Sequence, residues 1–233
     1  MSARLPLLNP EENQLGRDVT AAVPAPGGLT GVVELRPLDA EVWRRASPYL
    51  RVRSNDGHTL YSYGLARALV DLHPEADPDV VLPAILLHDT GWSQVDPEEV
   101  LEVIAPGQLG SRPDLVRRHE VEGARIATEV LGELGHDAAR TARIVEIIDG
   151  HDSRHHSLSL EDSLVKDADK LWRLTPHGVD TVMAWFGLDR AQAHRLIAGR
   201  VHDHLFTDTA RTMARALGAL ASMDTVPARL EVS

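Results

Sequence analysis

The chain has 233 residues and a formal net charge of −11, because 35 aspartates and glutamates outnumber 24 lysines and arginines. This acidic balance argues against extended binding to nucleic acid, which relies on basic side chains that neutralise phosphates. The absence of cysteine excludes disulfide bonds, thiol catalysis and zinc–thiolate sites.

No apolar run approaches the ~18 residues of a membrane-spanning helix, so no membrane partner is expected. The opening "MSARLPLLNPEENQ" has one arginine and too short an apolar stretch for a secretory signal, so the expected location is the cytoplasm. Residues 1–38 lack clear periodicity and predict a loosely structured arm, in which "GVVEL" is a candidate strand. Residues 39–225 are predicted to form one all-α domain, followed by a tail over 226–233.

Apolar spacing predicts the first helices of this domain. After His58, one helical face is indicated by the three-four spacing of Tyr61, Leu65, Ala68 and Leu69. The next segment, "DPDVVLPAILLHD", is apolar nearly all round. It predicts a short central helix with Asp79 as its N-cap and a stop at Gly91.

Three further helices are predicted, each with a polar residue on its apolar stripe. "RPDLVRRHEVEGARIATEVLGELG" carries His119 on the stripe and ends at Gly135. "HDAARTARIVEIIDGHD" places His151 on the face of its buried isoleucines, and "LEDSLVKDADKLWRL" places Asp169 beside apolar residues. Beyond Pro176 we expect a final helical hairpin.

Six ionisable residues top or interrupt these inward faces: His58, His88, Asp89, His119, His151 and Asp169. A single histidine on an apolar face is more often a hydrogen-bonded core residue than a ligand. Five helices that each offer such a residue are harder to explain in that way. Imidazole and carboxylate together suit divalent transition metals, which compensate buried polar groups.

Two segments, "LLHDTGW" and "LVKDADKLWRL", resemble the motifs of the HD-domain superfamily of metal-dependent phosphohydrolases. The resemblance implies an HD-domain helical bundle with its metal site in the core. The implied ligands are His58, His88, Asp89 and Asp169. Asp167 competes with Asp169, but the two lie about 200° apart around a helix, so at most one of them faces the core.

His58, His88, His119 and His151 follow one another at intervals of about 30 residues. Several HD branches add histidines at corresponding places to hold a second metal that the aspartate of the pair bridges. By that likeness, His119 and His151 are ligands of a second metal. The alternative is that both line the substrate pocket beside a single metal. The implied cofactor is a divalent transition metal, Mn, Fe, Co, Ni or Zn, with one or two ions per chain.

The residues assigned to catalysis or substrate binding are Lys166, Asp89, His119 and His151. Lys166 lies one helical turn before Asp169 and could meet a substrate phosphate as a point charge, or it could be a solvated helix lysine. Arg125 and Arg154 are weaker phosphate candidates. The three tryptophans Trp92, Trp172 and Trp185 are predicted to be packing groups.

The resemblance implies a metal-dependent phosphohydrolase that acts on a nucleotide or another small phosphate ester through metal-activated water. The expected partner is a small, phosphorylated substrate, and a homo-oligomer is compatible with the sequence. Two alternatives stay open. One is an HD-type mixed-valent di-iron oxygenase that uses the same six ligands, and the other is a non-catalytic HD-fold binding protein.

Overall fold

The computed structural model describes residues 16, 18–25, 29, 31–107 and 112–223. Over these residues the chain forms ten α-helices and no β-strand, which confirms the all-α prediction. The helices are α1 (Pro37–Ala46), α2 (Asn55–Leu72), α3 (Pro78–Leu87), α4 (Pro97–Ile104), α5 (Pro113–Glu133), α6 (Ala138–Ile148), α7 (Leu160–Leu171), α8 (Pro176–Phe186), α9 (Arg190–Val201) and α10 (Asp208–Met223). None of them is long and apolar enough to cross a membrane.

The apolar helix α3 lies at the centre of the fold, as predicted. Every residue from 80 to 87 is buried, and the helix packs against α1, α2, α6 and α7. The predicted cap was wrong by two residues. The Asp77 carboxylate accepts a hydrogen bond from the backbone N–H of Asp79 at 3.0 Å, so Asp77 is the N-cap. Asp79 lies within the first turn because the helix begins at Pro78, a favoured first helical residue.

The inward face of α2 differs from the predicted one. Tyr61 is 47% exposed, and Leu65 and Ala68 are half-buried. The residues that α2 buries are Asn55, His58, Thr59, Ser62, Tyr63, Ala66 and Leu69. A pattern drawn from apolar residues alone misses this face, because Thr59 and Ser62 belong to it.

Helices α5, α6 and α7 bury the predicted stripes, with one correction. α5 ends at Glu133, and Gly135 follows in a left-handed conformation. α6 ends at Ile148, so His151 lies in the turn after this helix and not on its face.

A further helix, α4, was not predicted. It begins after Asp96, whose carboxylate accepts from the backbone N–H of Glu98.

The two ends of the chain are only partly described. In the N-terminal arm, the described residues from 16 to 34 are exposed and form one short 3₁₀ turn, Thr20–Ala22. The candidate strand over residues 31–35 does not form, since no neighbouring strand exists to pair with it within the described residues. The predicted tail, 226–233, lies outside the described residues. In the expected helical hairpin beyond Pro176, the structure has three helices, α8 to α10, over the segments "DTVMAWFGL", "RAQAHRLIAGRVHDHLF" and "DTARTMARALGAL".

Candidate metal centre

The structure brings the six ionisable residues together in one buried cluster, which we call the His–Asp cluster. Its members are His58, His88, Asp89, His119, His151 and Asp169, and none is more than 7% exposed. His58 lies near the start of α2, and the His88–Asp89 pair caps the C-terminal end of α3. α5, the turn after α6, and α7 supply the other three residues. Five segments distant in sequence thus converge at one end of the central helix.

The first half of the cluster contains two histidines and two aspartates. The Nε2 atoms of His58 and His88 lie 3.0 Å apart. His58 Nε2 is 3.4 Å from Asp89 Oδ2 and 3.4 Å from Asp169 Oδ1. His88 Nε2 is 3.6 Å from Asp89 Oδ1 and 3.8 Å from Asp169 Oδ1. Both imidazoles therefore lie within 3.8 Å of an oxygen of each carboxylate.

The second half shares Asp89 with the first. His119 and His151 face each other with 3.5 Å between their Nε2 atoms, and His151 Nε2 lies 3.6 Å from Asp89 Oδ1. The ligand atoms of Asp89, His119 and His151 all lie within 4.8 Å of one another, as do those of His58, His88 and Asp89. Asp89 is thus the one residue common to both groups.

Two tryptophans contact Asp89 and the neighbouring imidazoles. Trp92 donates its Nε1–H to Asp89 Oδ1 at 3.1 Å, and its ring stacks on the His119 imidazole at a centroid distance of 3.8 Å. On the other side, the Trp172 ring meets the His58 imidazole edge-on at 4.5 Å. The predicted packing role of these two tryptophans is therefore correct, and Trp92 also orients the Asp89 carboxylate.

A close backbone approach sets the distance between the His88–Asp89 pair and α5. A Cβ atom at Gly91 would overlap the carbonyl oxygen of His119 and press on the backbone nitrogen of Gly123. Only glycine allows the chain after the pair to lie directly on α5. The predicted stop at Gly91 is a 3₁₀ turn, Thr90–Gln94, which holds Asp89 and His119 at their separation.

The turn that carries His151 is held by a buried carboxylate from the same helix as His119. Glu120 is fully buried, and its Oε1 accepts hydrogen bonds from the backbone N–H groups of Asp152 and Ser153 at 3.0 and 2.7 Å. α5 therefore supplies one histidine of the second group directly and fixes the position of the other.

The hydrogen bonds of two histidines test whether the cluster fits a metal. His88 Nδ1 lies 2.8 Å from Ile85 O, and His151 Nδ1 lies 3.0 Å from Ile148 O. A carbonyl oxygen can only accept, so each Nδ1 carries a proton, and in the neutral imidazole the Nε2 lone pair is directed into the cluster. Metal-ligating histidines typically donate their other ring N–H in this way. The donor set therefore fits divalent transition metal ions.

The pKa values of the cluster's side chains are also compatible with a bound cation. Burial lowers the pKa of both His58 and His119 to about 4, so these imidazoles are neutral. Burial would also lower the pKa of His151, but the carboxylates of Asp152 and Asp89 raise it to about 10. Burial would raise the pKa of Asp89, yet the surrounding imidazoles hold it well below its ordinary value. The buried carboxylates thus favour positive charge in the cluster, which a protonated His151 or a bound metal ion would supply.

A family model described as HD domain matches residues 55–174, a range that contains the whole His–Asp cluster. The chain belongs to the HD domain family. Among solved structures, it is similar to a predicted HD superfamily hydrolase from an uncultured Thermotogales bacterium, at 19% sequence identity and a TM-score of 0.55. The likeness covers 80% of this chain and 88% of that chain, and at this identity it shows the fold. No curated protein matches the sequence.

The structure separates Asp169 from its competitor Asp167. Asp169 reaches the cluster, whereas the Asp167 carboxylate accepts hydrogen bonds from the backbone N–H groups of Phe206 and Thr207 at 2.7 and 3.0 Å. Asp167 therefore connects α7 to the residues just before α10, on the side of α7 opposite to the cluster.

Lys166 does not lie in the cluster. It is 1% exposed, and its Nζ donates to the carbonyl oxygens of Arg154 and His156, each at 2.9 Å, with Asp162 Oδ2 at 3.4 Å. Neither sequence interpretation holds, because the side chain is buried and its donors already bind the loop before α7. The weaker candidates are also engaged elsewhere. Arg125 pairs with glutamates on the surface of α5, and Arg154 pairs with Asp162.

Sequence reasoning missed three charged residues beside the cluster. Asp152 Oδ2 lies 3.5 Å from His119 Nε2 and 3.8 Å from His151 Nε2. One signal was available, since His151–Asp152 repeats the dipeptide of His88–Asp89. The other two are Arg53 and Arg173, for which the sequence offers no comparable signal.

Proposed function

We propose that the protein is a metal-dependent phosphohydrolase whose site holds two divalent transition metal ions. The observation that carries this proposal is the sharing of Asp89 by two groups of ligands. One group adds His58, His88 and Asp169, and the other adds His119 and His151. The sequence left His119 and His151 as either metal ligands or pocket residues. This proposal assigns both of them as ligands.

Bound in this arrangement, the metal ions would lower the pKa of coordinated water and polarise a phosphoryl oxygen. The chain's own contribution is to hold six ligand atoms in fixed positions and to limit access of bulk water to them. Trp92 and the backbone carbonyls of Ile85 and Ile148 orient the ligands through hydrogen bonds. Among the described residues, no serine or threonine hydroxyl is hydrogen-bonded to a histidine of the cluster, so the proposed nucleophile is water.

Two arginines beside the cluster favour an anionic substrate. Arg173 Nη1 lies 3.8 Å from Asp169 Oδ1, and Arg53 contacts the ring of Trp92. Guanidinium groups suit phosphoryl oxygens, which carry negative charge in a small phosphate ester. This favours a phosphohydrolase over the second candidate, a mixed-valent di-iron oxygenase, which the same six ligands would also suit. The proposed substrate is therefore a nucleotide or another small phosphate ester.

Hydrolysis of a substrate panel tests the proposal, followed as phosphate release from monoesters and as release of the aryl alcohol from a diester. The purified protein, reconstituted separately with Mn, Fe, Co, Ni and Zn, would be assayed against nucleoside monophosphates, sugar phosphates and an aryl phosphodiester. We expect hydrolysis of at least one class, and loss of that activity in Asp89→Asn. Dioxygen consumption by the iron-loaded protein, with no hydrolysis of any panel substrate under any metal, would replace the hydrolase with the oxygenase.

A further inference from the structure

Arg53 lies in a strained stretch of backbone next to the His–Asp cluster. Arg53 and Ser54 have φ angles of 55° and 60°, and both residues therefore occupy the left-handed region immediately before α2. Such a conformation is unfavourable for a non-glycine residue, and it clusters at ligand-binding sites. Glycine would adopt it without that cost. An arginine at this position therefore needs a reason other than the fold of the turn.

The strained turn directs the Arg53 side chain towards the second group of ligands. Its guanidinium carbon lies 4.9 Å from the centroid of the Trp92 ring and 5.4 Å from that of Trp185. Trp92 in turn contacts both Asp89 and His119. Contacts to two aromatic faces restrict the guanidinium plane and leave its N–H edges as the free donors.

The charge of Arg53 has no direct partner. Its Nε is buried and makes no hydrogen bond, and no carboxylate lies within ion-pair distance of it in the described parts of the chain. Burial lowers the pKa of Arg53, which the more distant charges of Asp89, Asp152 and Asp169 oppose. A buried donor without a partner is costly, and a ligand that accepts a hydrogen bond would remove this cost.

A second guanidinium approaches the cluster from α7's C-terminal end. Arg173 Nη1 donates to the carbonyl oxygen of Asp169 at 3.2 Å and lies 3.8 Å from its Oδ1. Arg53, through its contact with Trp92, and Arg173, through its contact with Asp169, thus both lie at the border of the His–Asp cluster in a protein of net charge −11. Such an arrangement is stabilised by an anion that both of them can reach.

We propose that Arg53, together with Arg173, binds the phosphoryl group of the substrate beside the metal ions. The site takes a tetrahedral oxyanion, as in a phosphate monoester or in inorganic phosphate. The identification of this anion as the substrate's reacting group rests on the proposed function, whereas binding of the oxyanion itself does not.

Binding of inorganic phosphate to the metal-loaded protein, followed by calorimetry, tests this inference. The informative variant is Arg53→Gly, because it removes the guanidinium and also relieves the left-handed strain. We expect its dissociation constant for phosphate to rise at least about tenfold, which corresponds to about 1.4 kcal/mol. Its melting temperature and metal content should not fall. Arg125→Met, on the exposed face of α5, is the matched control and should bind phosphate like the wild type.

Arg53→Lys provides a second measurement that keeps the charge and much of the packing. It should also bind phosphate more weakly, since lysine lacks the planar guanidinium group that can donate two parallel hydrogen bonds. Unchanged phosphate affinity in both Arg53 variants, with metal content intact, would overturn the inference. The proposed hydrolase function would still stand. Conversely, phosphate binding that depends on Arg53 in a protein that hydrolyses no phosphate ester would retain the inference and contradict the proposed function.

Discussion

His58 and His88, from two different helices, face each other with 3.0 Å between their Nε2 atoms. His88 Nδ1 donates to the carbonyl oxygen of Ile85. Burial would lower the pKa of His88, but the carboxylates of Asp89 and Asp169 raise it, whereas burial lowers the pKa of His58 to about 4 and leaves that imidazole neutral. A divalent cation between the two Nε2 atoms and the adjacent carboxylates would replace the proton that these carboxylates favour on His88, which is the basis of the following predictions.

The two aspartates of α7 should respond oppositely to substitution. We expect Asp169→Asn to lose metal with little loss of stability, since its carboxylate faces the His–Asp cluster. Asp167→Asn should keep its metal and lose about 1–3 kcal/mol of unfolding free energy, since it weakens the hydrogen bonds to Phe206 and Thr207. Elemental analysis and urea unfolding of both variants measure this. Loss of metal from the Asp167 variant alone would mean that the ligand has been assigned to the wrong residue.

The second group of ligands should be separable from the first. His119→Gln or His151→Gln should lower the metal content from about two ions per chain to about one, because each removes an imidazole from only one group. The far-ultraviolet circular dichroism spectrum should stay unchanged. If both variants kept two ions and lost only substrate affinity, the histidines would be pocket residues beside the metals.

Much of this site could be predicted from the sequence, and the failures have physical causes. The residues on apolar stripes, such as His119 and Asp169, were found because helical periodicity reports which face is buried. The inward face of α2 was missed because it includes Thr59 and Ser62, whose polar character hides their burial. The position of Arg53 depends on a left-handed turn and on two tryptophans from other parts of the chain, which no local pattern encodes.

The buried ammonium of Lys166 should matter for stability and not for the reaction. Lys166→Met would leave the carbonyls of Arg154 and His156 without their donor, and we expect a loss of about 1–3 kcal/mol in unfolding free energy. Lys170→Met, one turn later and partly exposed, is the control and should change stability by no more than about 0.5 kcal/mol. A large fall in kcat/KM of the Lys166 variant at unchanged stability would return this lysine to the substrate site.

The close approach at Gly91 predicts that a substitution there weakens both stability and metal binding. Gly91→Ala should destabilise the protein by about 1–3 kcal/mol, since the added Cβ pushes the chain away from His119 and Gly123. Metal affinity should fall too, because Asp89 moves relative to His119. Gly132→Ala is the matched control on α5, where a Cβ meets open space, and it should be neutral or slightly stabilising. A Gly91 variant as stable as the control would show that the approach is looser than described.

The number and position of the metal ions test the central claim most directly. Crystals of the metal-loaded protein, with diffraction data collected at the absorption edge of the bound metal, locate each ion. The account predicts about two anomalous peaks per chain, as in other two-metal sites, one on either side of Asp89. The first peak should lie among His58, His88 and Asp169, and the second beside His119 and His151. A single peak away from Asp89, or none at full metal loading, would contradict the shared-carboxylate site.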